Sequence, residues 1–193
     1  MDISSMLNII ILGIVFLIIT IIFLYGVGVY NRLVSLRNGW EATFNQVLVT
    51  LKKRLDMITQ LVETVKSYAK FEKDLFVEVT RLRSSGMEAK TPEDVNKIER
   101  NIRSIMGDIK VAVEAYPNPQ TAGLVSNIMH SISDIEGDAA RYRYTYNNIV
   151  QEFNTICDRF PSNIVASMLG FKKEQYLEIE KEAVEKIPNT SFY

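Results

Sequence analysis

An uncharged apolar run from Ile9 to Val29 constrains this chain of 193 residues more than any other feature. Most of the run is Ile, Leu, Val and Phe, and no charged residue occurs between Ile3 and Asn31. At a helical rise of about 1.5 Å per residue it covers roughly 31 Å, close to the thickness of a bilayer's hydrocarbon core. The sequence predicts one transmembrane helix over residues 9–29, preceded by a short flank, residues 1–8.

The alternative to a retained anchor is a cleaved signal peptide. A signal peptide needs basic residues before a shorter apolar stretch, and here Asp2 stands where those residues belong. The retained anchor is therefore favoured. Arg32 and Arg37 follow the span while no Lys or Arg precedes it. The positive-inside rule then predicts an N-terminus outside and a helical domain in the cytoplasm.

Beyond the anchor, apolar residues recur with the 3.6-residue period of an amphipathic helix. No proline or loop cluster lies between the anchor and this pattern, so one continuous helix is predicted. It should reach about Arg83 and stop at Ser84-Ser85-Gly86. The positions expected to be buried are Leu33, Leu36, Trp40, Phe44, Val47, Leu51, Leu55, Ile58, Val62, Val65, Ala69, Leu75, Val79 and Leu82.

Two further long helices follow. Thr91 can cap the first of them and Pro92 suits its first position. The segment Tyr116-Pro117-Asn118-Pro119 predicts a turn, and a third helix is expected from near Gln120 to Pro161. The positions expected to be buried are Val95, Ile98, Ile102, Ile105, Ile109, Val113 and Tyr116, then Leu124, Ile128, Ile132, Ile135, Ala139, Tyr142, Tyr146, Phe153, Ile156 and Phe160.

A short helix, 163–169, is predicted after Pro161, capped by Ser162 and closed by Gly170. No strand-like alternation appears, so the expected fold is all-α. It is an antiparallel bundle of three long helices plus a short C-terminal helix, over residues 30–171. The N-terminal transmembrane helix is continuous with the first bundle helix. The tail, residues 172–193, is charged and helix-prone, and little core is expected there.

Composition argues against several classes of function. His130 is the only histidine and Cys157 the only cysteine, so neither a metal site nor a disulfide is expected, and no cofactor is predicted. The sequence has no phosphate-binding loop and no nucleophile elbow. The formal net charge of −1 lacks the basic excess that is typical of nucleic-acid-binding proteins. The chain is therefore predicted not to be an enzyme and not to bind nucleic acid.

The most unusual polar segment runs from Arg141 to Asn154. Asn147 and Asn154 lie seven residues apart, each one position after an aromatic residue, Tyr146 or Phe153. Buried amides require partners and can fix the register between helices, so a structural role is preferred to ligand binding. The candidate partners on the first helix are Arg54, Asp56 and Glu63.

Several stretches resemble the LemA family of bacterial membrane proteins. They are Tyr30-Asn31-Arg32-Leu33-Val34, Leu51-Lys52-Lys53-Arg54-Leu55-Asp56, Leu61-Val62-Glu63-Thr64-Val65, Ala115-Tyr116-Pro117, residues 141–150, Phe153-Asn154, residues 160–166, which include Pro161, and Gly170-Phe171. The resemblance implies an N-terminal anchor on a helical bundle in a bacterial inner membrane. It implies no enzymatic activity.

The leading functional hypothesis is a non-catalytic, membrane-anchored helical scaffold or adaptor. Its expected partners are the lipid bilayer, a protein that the sequence does not identify, and a second copy of the chain. One alternative is a membrane-tethered sensor that binds a small ligand between helices, which would require a pocket with convergent polar groups. The other, by resemblance, is a factor that builds or remodels membrane organelles.

Overall fold

A computed structural model describes residues 3–66, 73–115 and 120–178. It contains five helices within those ranges and no strand. The helices are α1 (Ile3–Lys66), α2 (Lys73–Glu88), α3 (Pro92–Ala115), α4 (Ala122–Asp158) and α5 (Ser162–Met168). The predicted all-α fold class is confirmed.

Helix α1 begins in the anchor and continues without a break into the bundle, as predicted. Its apolar side chains from Ile3 to Val27 are largely exposed. Within the described residues, it is the one helix long and apolar enough to cross a membrane. A helix whose apolar side chains remain largely exposed is typical of a segment surrounded by lipid.

The chain divides into two compact units, and each has its own core. The anchor unit comprises Met1–Trp40 and Ile149–Glu174, and the bundle unit comprises Glu41–Asn148 and Gln175–Tyr193. The core of the anchor unit is small. It consists of Leu33, Leu36, Phe153 and Ala166, against which Val29, Ile149, Ile156, Cys157 and Phe171 pack.

The bundle unit buries the apolar stripes that periodicity predicted. Its buried residues include Phe44, Val47, Leu51, Leu55, Ile58, Val62 and Val65 on α1, Val95, Ile98, Ile102, Ile105 and Ile109 on α3, and Ile128, Ile132, Ala139 and Tyr146 on α4. Leu124, expected in the same stripe, is exposed, and its neighbour Val125 is buried in its place. Ala69 and Tyr116 lie outside the described residues.

The prediction that Ser84-Ser85-Gly86 stops a helix is wrong. Helix α2 passes through these residues and ends at Glu88. Gly86 is buried, and a Cβ atom there would lie 2.2 Å from Cδ1 of Leu55, far inside the contact distance of two carbon atoms. Glycine at this position permits close packing between α2 and α1, at a modest cost in helix propensity.

Gly86→Ala is expected to lower the free energy of unfolding by about 1–3 kcal/mol, the cost of overpacking a core. Gly107→Ala in α3 is the matched control, since a Cβ there meets no atom within 4 Å. It should raise the free energy of unfolding by up to about 1 kcal/mol through helix propensity. Urea unfolding followed by circular dichroism measures both. Equal effects of the two substitutions would contradict close packing at Gly86.

Helix α3 starts where the sequence predicts, at a reciprocal cap. The backbone N–H of Asp94 donates to the Thr91 hydroxyl (3.2 Å), and the Asp94 carboxylate accepts from the backbone N–H groups of Thr91 (3.0 Å) and Lys90 (3.1 Å). These hydrogen bonds lower the pKa of the Asp94 carboxyl. The bond from the backbone N–H of Lys90 contributes most, followed by the hydroxyl and then the backbone N–H of Thr91. The predicted turn over residues 116–119 lies outside the described residues.

The region around Pro161 differs from prediction in two respects. Phe160, expected in the buried stripe, is 76% exposed. Ser162 does not cap α5, because its hydroxyl donates to the carbonyls of Ile156 and Arg159 (both 2.8 Å), near the end of α4. Pro161 occupies the N-cap position of α5 without a side-chain hydrogen bond.

After α5 the backbone turns at Gly170, whose positive φ of 75° favours glycine. Residues 171–178 then form no helix, which corrects the expectation of a helix-prone tail over that part. Leu177 is buried, so this part of the tail also contributes core that the sequence did not predict. The rest of the tail, 179–193, lies outside the described residues.

Candidate functional site

A cluster of buried ion pairs lies inside the bundle unit. Arg54 on α1 donates from Nη1 to Oε2 of Glu99 on α3 (2.8 Å) and from Nη2 to Oε1 of Glu136 on α4 (3.0 Å). Arg143 on α4 forms a second salt bridge, to the other oxygen of Glu99. Arg54, Glu99 and Arg143 are 2%, 4% and 4% exposed, whereas the Glu136 side chain is 38% exposed.

Glu99 is the centre of this cluster, because each of its oxygens faces a different guanidinium. Two arginines and two glutamates balance in charge, which is how buried charges are normally tolerated. The cluster joins three helices through groups whose charges are already neutralised by one another. Its chemistry suits fixing the register of α1, α3 and α4 rather than proton transfer.

Asn147 makes a two-point contact with the backbone of the C-terminal segment. Its amide nitrogen donates to the carbonyl of Leu177 (2.8 Å), and its amide oxygen accepts from the N–H of the same residue (2.9 Å). Both bonds are buried. A primary amide that satisfies the donor and the acceptor of one residue fixes the position of the main chain at that residue.

Two further residues of the bundle unit hold the same segment, residues 175–178. Asn96 on α3 donates to the carbonyl of Tyr176 (3.4 Å) and accepts from the N–H of Glu178 (2.9 Å). The Tyr146 hydroxyl donates to the carbonyl of Gln175 (3.0 Å), and its ring contacts Phe44. The segment is therefore bonded to α3 and α4 through its main chain.

The anchor unit contains a similar two-point contact, made by Asn154 to Glu174, the residue that precedes this segment. Asn154 donates to the carbonyl of Glu174 (2.9 Å) and accepts from its N–H (2.8 Å). Asn147 thus bonds to the main chain of Leu177 and Asn154 to that of Glu174, and neither bonds to the candidate partners on the first helix. We call Asn96, Asn147 and Asn154 the asparagine clasps.

The remaining predicted positions lie apart from the clasps. Asp56 forms an exposed salt bridge with Arg83 of α2 (2.9 Å). Glu63 is exposed on α1, and Pro161 is exposed between α4 and α5. Arg54 is the one member of the proposed first-helix set that is buried, and its partners are Glu99 and Glu136.

The side chains expected to line a ligand pocket already form hydrogen bonds with other protein atoms. Arg54, Asn147 and Asn154 all have the partners given above, which weakens the case for a ligand among them. A cavity of about 360 Å³ lies elsewhere, between α2 and α3, with Arg81, Glu88, Asp94 and Lys97 among its lining. The Asp94 carboxylate in this cavity is already engaged in the cap of α3.

No group of three or more metal-binding side chains occurs within residues 3–66, 73–115 and 120–178. His130 is exposed on α4. Cys157 is half-buried in the anchor unit, where burial, followed by the nearby Asp158 carboxylate, raises the pKa of its thiol. A raised pKa keeps the thiol protonated and makes it a poor nucleophile.

The sequence profile of the LemA family matches residues 43–192, which include the ion-pair cluster and all three clasps. The chain belongs to the LemA family. Membership agrees with the resemblance of the stretches around Arg54 and from Arg141 to Phe171, and with the helical fold.

Curated relatives are distant but cover most of this LemA-family chain. It is 23% identical to Magnetosome protein MamQ 2 of Paramagnetospirillum magneticum and 24% identical to Magnetosome protein MamQ of Magnetospirillum gryphiswaldense. Each match covers 80% of this chain and 66% of the relative. It is 26% identical to Protein LemA of Metamycoplasma hominis, over 81% of this chain and 73% of the relative.

Proposed function

We propose that this chain is a non-catalytic scaffold or adaptor that anchors a helical domain to a membrane. The observation that carries the proposal is the exposed apolar part of α1, which continues as one helix into a bundle. A helix with an apolar surface on all sides is stable when lipid surrounds it. The proposal also accords with Arg54 and Asn147, two buried polar residues of the bundle that are bonded to Glu99 and to the main chain of Leu177.

We place the anchor in a bacterial inner membrane with the N-terminus outside and the helical domain in the cytoplasm. This topology follows from Arg32 and Arg37, which lie directly after the span where cytoplasmic positive charges are expected. Protease treatment of inverted vesicles tests it. Digestion of the C-terminal domain is expected, and survival of that domain would show that it lies on the opposite side of the membrane.

A role in forming or remodelling membrane organelles is the second candidate. It is favoured by the similarity to proteins named Magnetosome protein MamQ. Such a role is compatible with a scaffold, since a helical domain held at a membrane can organise other proteins there. Distinguishing the two requires the partners to be identified.

Crosslinking in intact cells, followed by identification of the captured proteins, tests the scaffold proposal. Three forms should be compared: the full chain, an anchor-deleted form, and a form in which residues 9–29 are replaced by an unrelated apolar span. The first and third are expected to capture the same partner, because both hold the bundle at the membrane. The anchor-deleted form should lose it. Capture of the same proteins by all three forms would contradict a membrane scaffold.

A further inference from the structure

A second apolar surface lies beside the anchor. Helix α5 and the end of the predicted span form a groove of about 650 Å³ within the anchor unit. Its lining includes Phe23, Gly26 and Val27 on α1, Val165 and Met168 on α5, and Leu169 directly after α5. A Cβ atom on Gly26 would meet no atom within 4 Å, so the groove is open at this point.

The position of this groove along α1 sets its depth. Phe23, Gly26 and Val27 all fall within residues 9–29, the segment predicted to span the bilayer. At about 1.5 Å per residue, Phe23 lies roughly 9 Å inside the end of that segment. The groove that α5 side chains help to line therefore overlaps the depth at which interfacial helices bury their apolar faces, about 5–10 Å.

Helix α5 has two faces with different surroundings. Ser162 and Ala166 are buried against the rest of the anchor unit. Ile164, Met168 and Leu169 are exposed, Met168 at 83%. Three large exposed apolar side chains on so short a helix and its C-cap indicate that this surface contacts an apolar partner rather than water.

The charges around α5 identify the chemistry of that partner. No charged residue occurs from Phe160 to Phe171, and this stretch is bracketed by Arg159 and Lys172, both exposed. Cations at the borders of an apolar segment match anionic lipid head groups above the acyl chains. A second copy of the chain on the same face would oppose identical cations if the pairing were two-fold symmetric.

We propose that α5 is a second membrane contact, inserted among the lipid acyl chains beside the anchor, with a chain of a lipid in the groove. This inference rests on the proposed membrane anchoring. The chain would then hold the bilayer at two points, one that spans it and one that lies in its surface. Two contacts restrict rotation of the anchor unit about the axis of the span.

Fluorescence quenching of the full chain in liposomes that contain anionic lipid tests this inference. In a Cys157→Ala background, Met168→Cys carries an environment-sensitive fluorophore, and the quencher is a lipid spin-labelled on its acyl chain. Ser167→Cys is the matched control, because it is the adjacent exposed residue and lies outside the groove lining. Quenching at position 168 should be at least about twofold stronger than at position 167, as expected for a helix that buries one face.

Leu12→Cys in the same background separates this inference from the anchoring on which it rests. Strong quenching at position 12 with none at position 168 would overturn the α5 contact and leave the anchor intact. Absence of quenching at both positions would overturn the anchoring itself. Disulfide crosslinking between copies through Met168→Cys, without quenching, would show that a second chain occupies the groove, and would also overturn the lipid contact.

Discussion

Glu99→Ala is expected to lower the free energy of unfolding by about 3–5 kcal/mol, the cost of leaving buried charges without their partner. Glu99 pairs with Arg54 and Arg143, and all three side chains are almost completely buried. The substitution leaves Arg143 without this carboxylate and Arg54 with Glu136 alone. Urea unfolding of the full chain in a mild detergent, followed by circular dichroism, measures the loss.

Glu136→Ala is the matched control for Glu99. It removes a carboxylate from the same Arg54 but from a partly exposed position, so the expected cost is about 1 kcal/mol or less. Replacing Arg54, Glu99 and Arg143 together by leucine should recover much of the stability lost in Glu99→Ala, because the one charge left without its partner, Glu136, is partly exposed to solvent. If Glu99→Ala and Glu136→Ala lowered the free energy of unfolding by similar amounts, burial would not determine how much each carboxylate contributes to stability.

Asn147→Ala is expected to lower the free energy of unfolding by about 1–3 kcal/mol, since it leaves the donor and acceptor of Leu177 unpaired. Both of those groups are bonded to Asn147 in a buried site. Hydrogen exchange gives the most direct measurement. The amide of Leu177 should exchange faster in the variant, together with its neighbours in residues 175–178.

Asn148→Ala is the control for Asn147, because Asn148 is the adjacent residue and is exposed. It should leave the exchange of Leu177 unchanged. Asn147→Asp keeps the acceptor but places a carboxylate oxygen against the Leu177 carbonyl in a buried site, and should destabilise the chain at least as much as Asn147→Ala. An unchanged melting curve for Asn147→Ala, with loss of a captured partner, would instead identify Asn147 as an interaction residue.

The helices and most of their buried faces were predictable from the sequence. Buried positions on one helix face recur every 3.6 residues, so residues such as Leu51, Leu55 and Ile58 can be assigned to the core from their spacing alone. The reciprocal cap at Thr91 was equally clear, since its residues are adjacent in sequence. These features depend on interactions within one helix or at its end.

The ion-pair cluster was missed, although a signal for it exists. Arg54, Glu99 and Arg143 each occupy a position in phase with the apolar stripe of its own helix. Arg143, for example, lies four residues after Ala139 and three before Tyr146. A charged residue in such a position must find an opposite charge, so the three together predict a buried cluster.

Features that depend on contact between distant segments were not predictable. Gly86 looks like a helix terminator in the sequence, and its real role depends on the methyl group of Leu55. The clasps are harder still, because Asn147 and Asn154 bond to backbone atoms that every residue possesses. A side chain that binds main chain leaves no complementary residue in the sequence to reveal its partner.

Recognition of the main chain by the asparagine clasps has a consequence for how this tail can change during evolution. Asn96 and Asn147 hold residues 176–178 in the bundle unit, and Asn154 holds Glu174 in the anchor unit, in each case through main-chain atoms that do not distinguish one residue from another. Leu177 must remain apolar because it is buried, whereas Tyr176 and Glu178 are exposed. The side chain at position 176 can therefore be replaced without removing the bond that Asn96 makes to the main chain there.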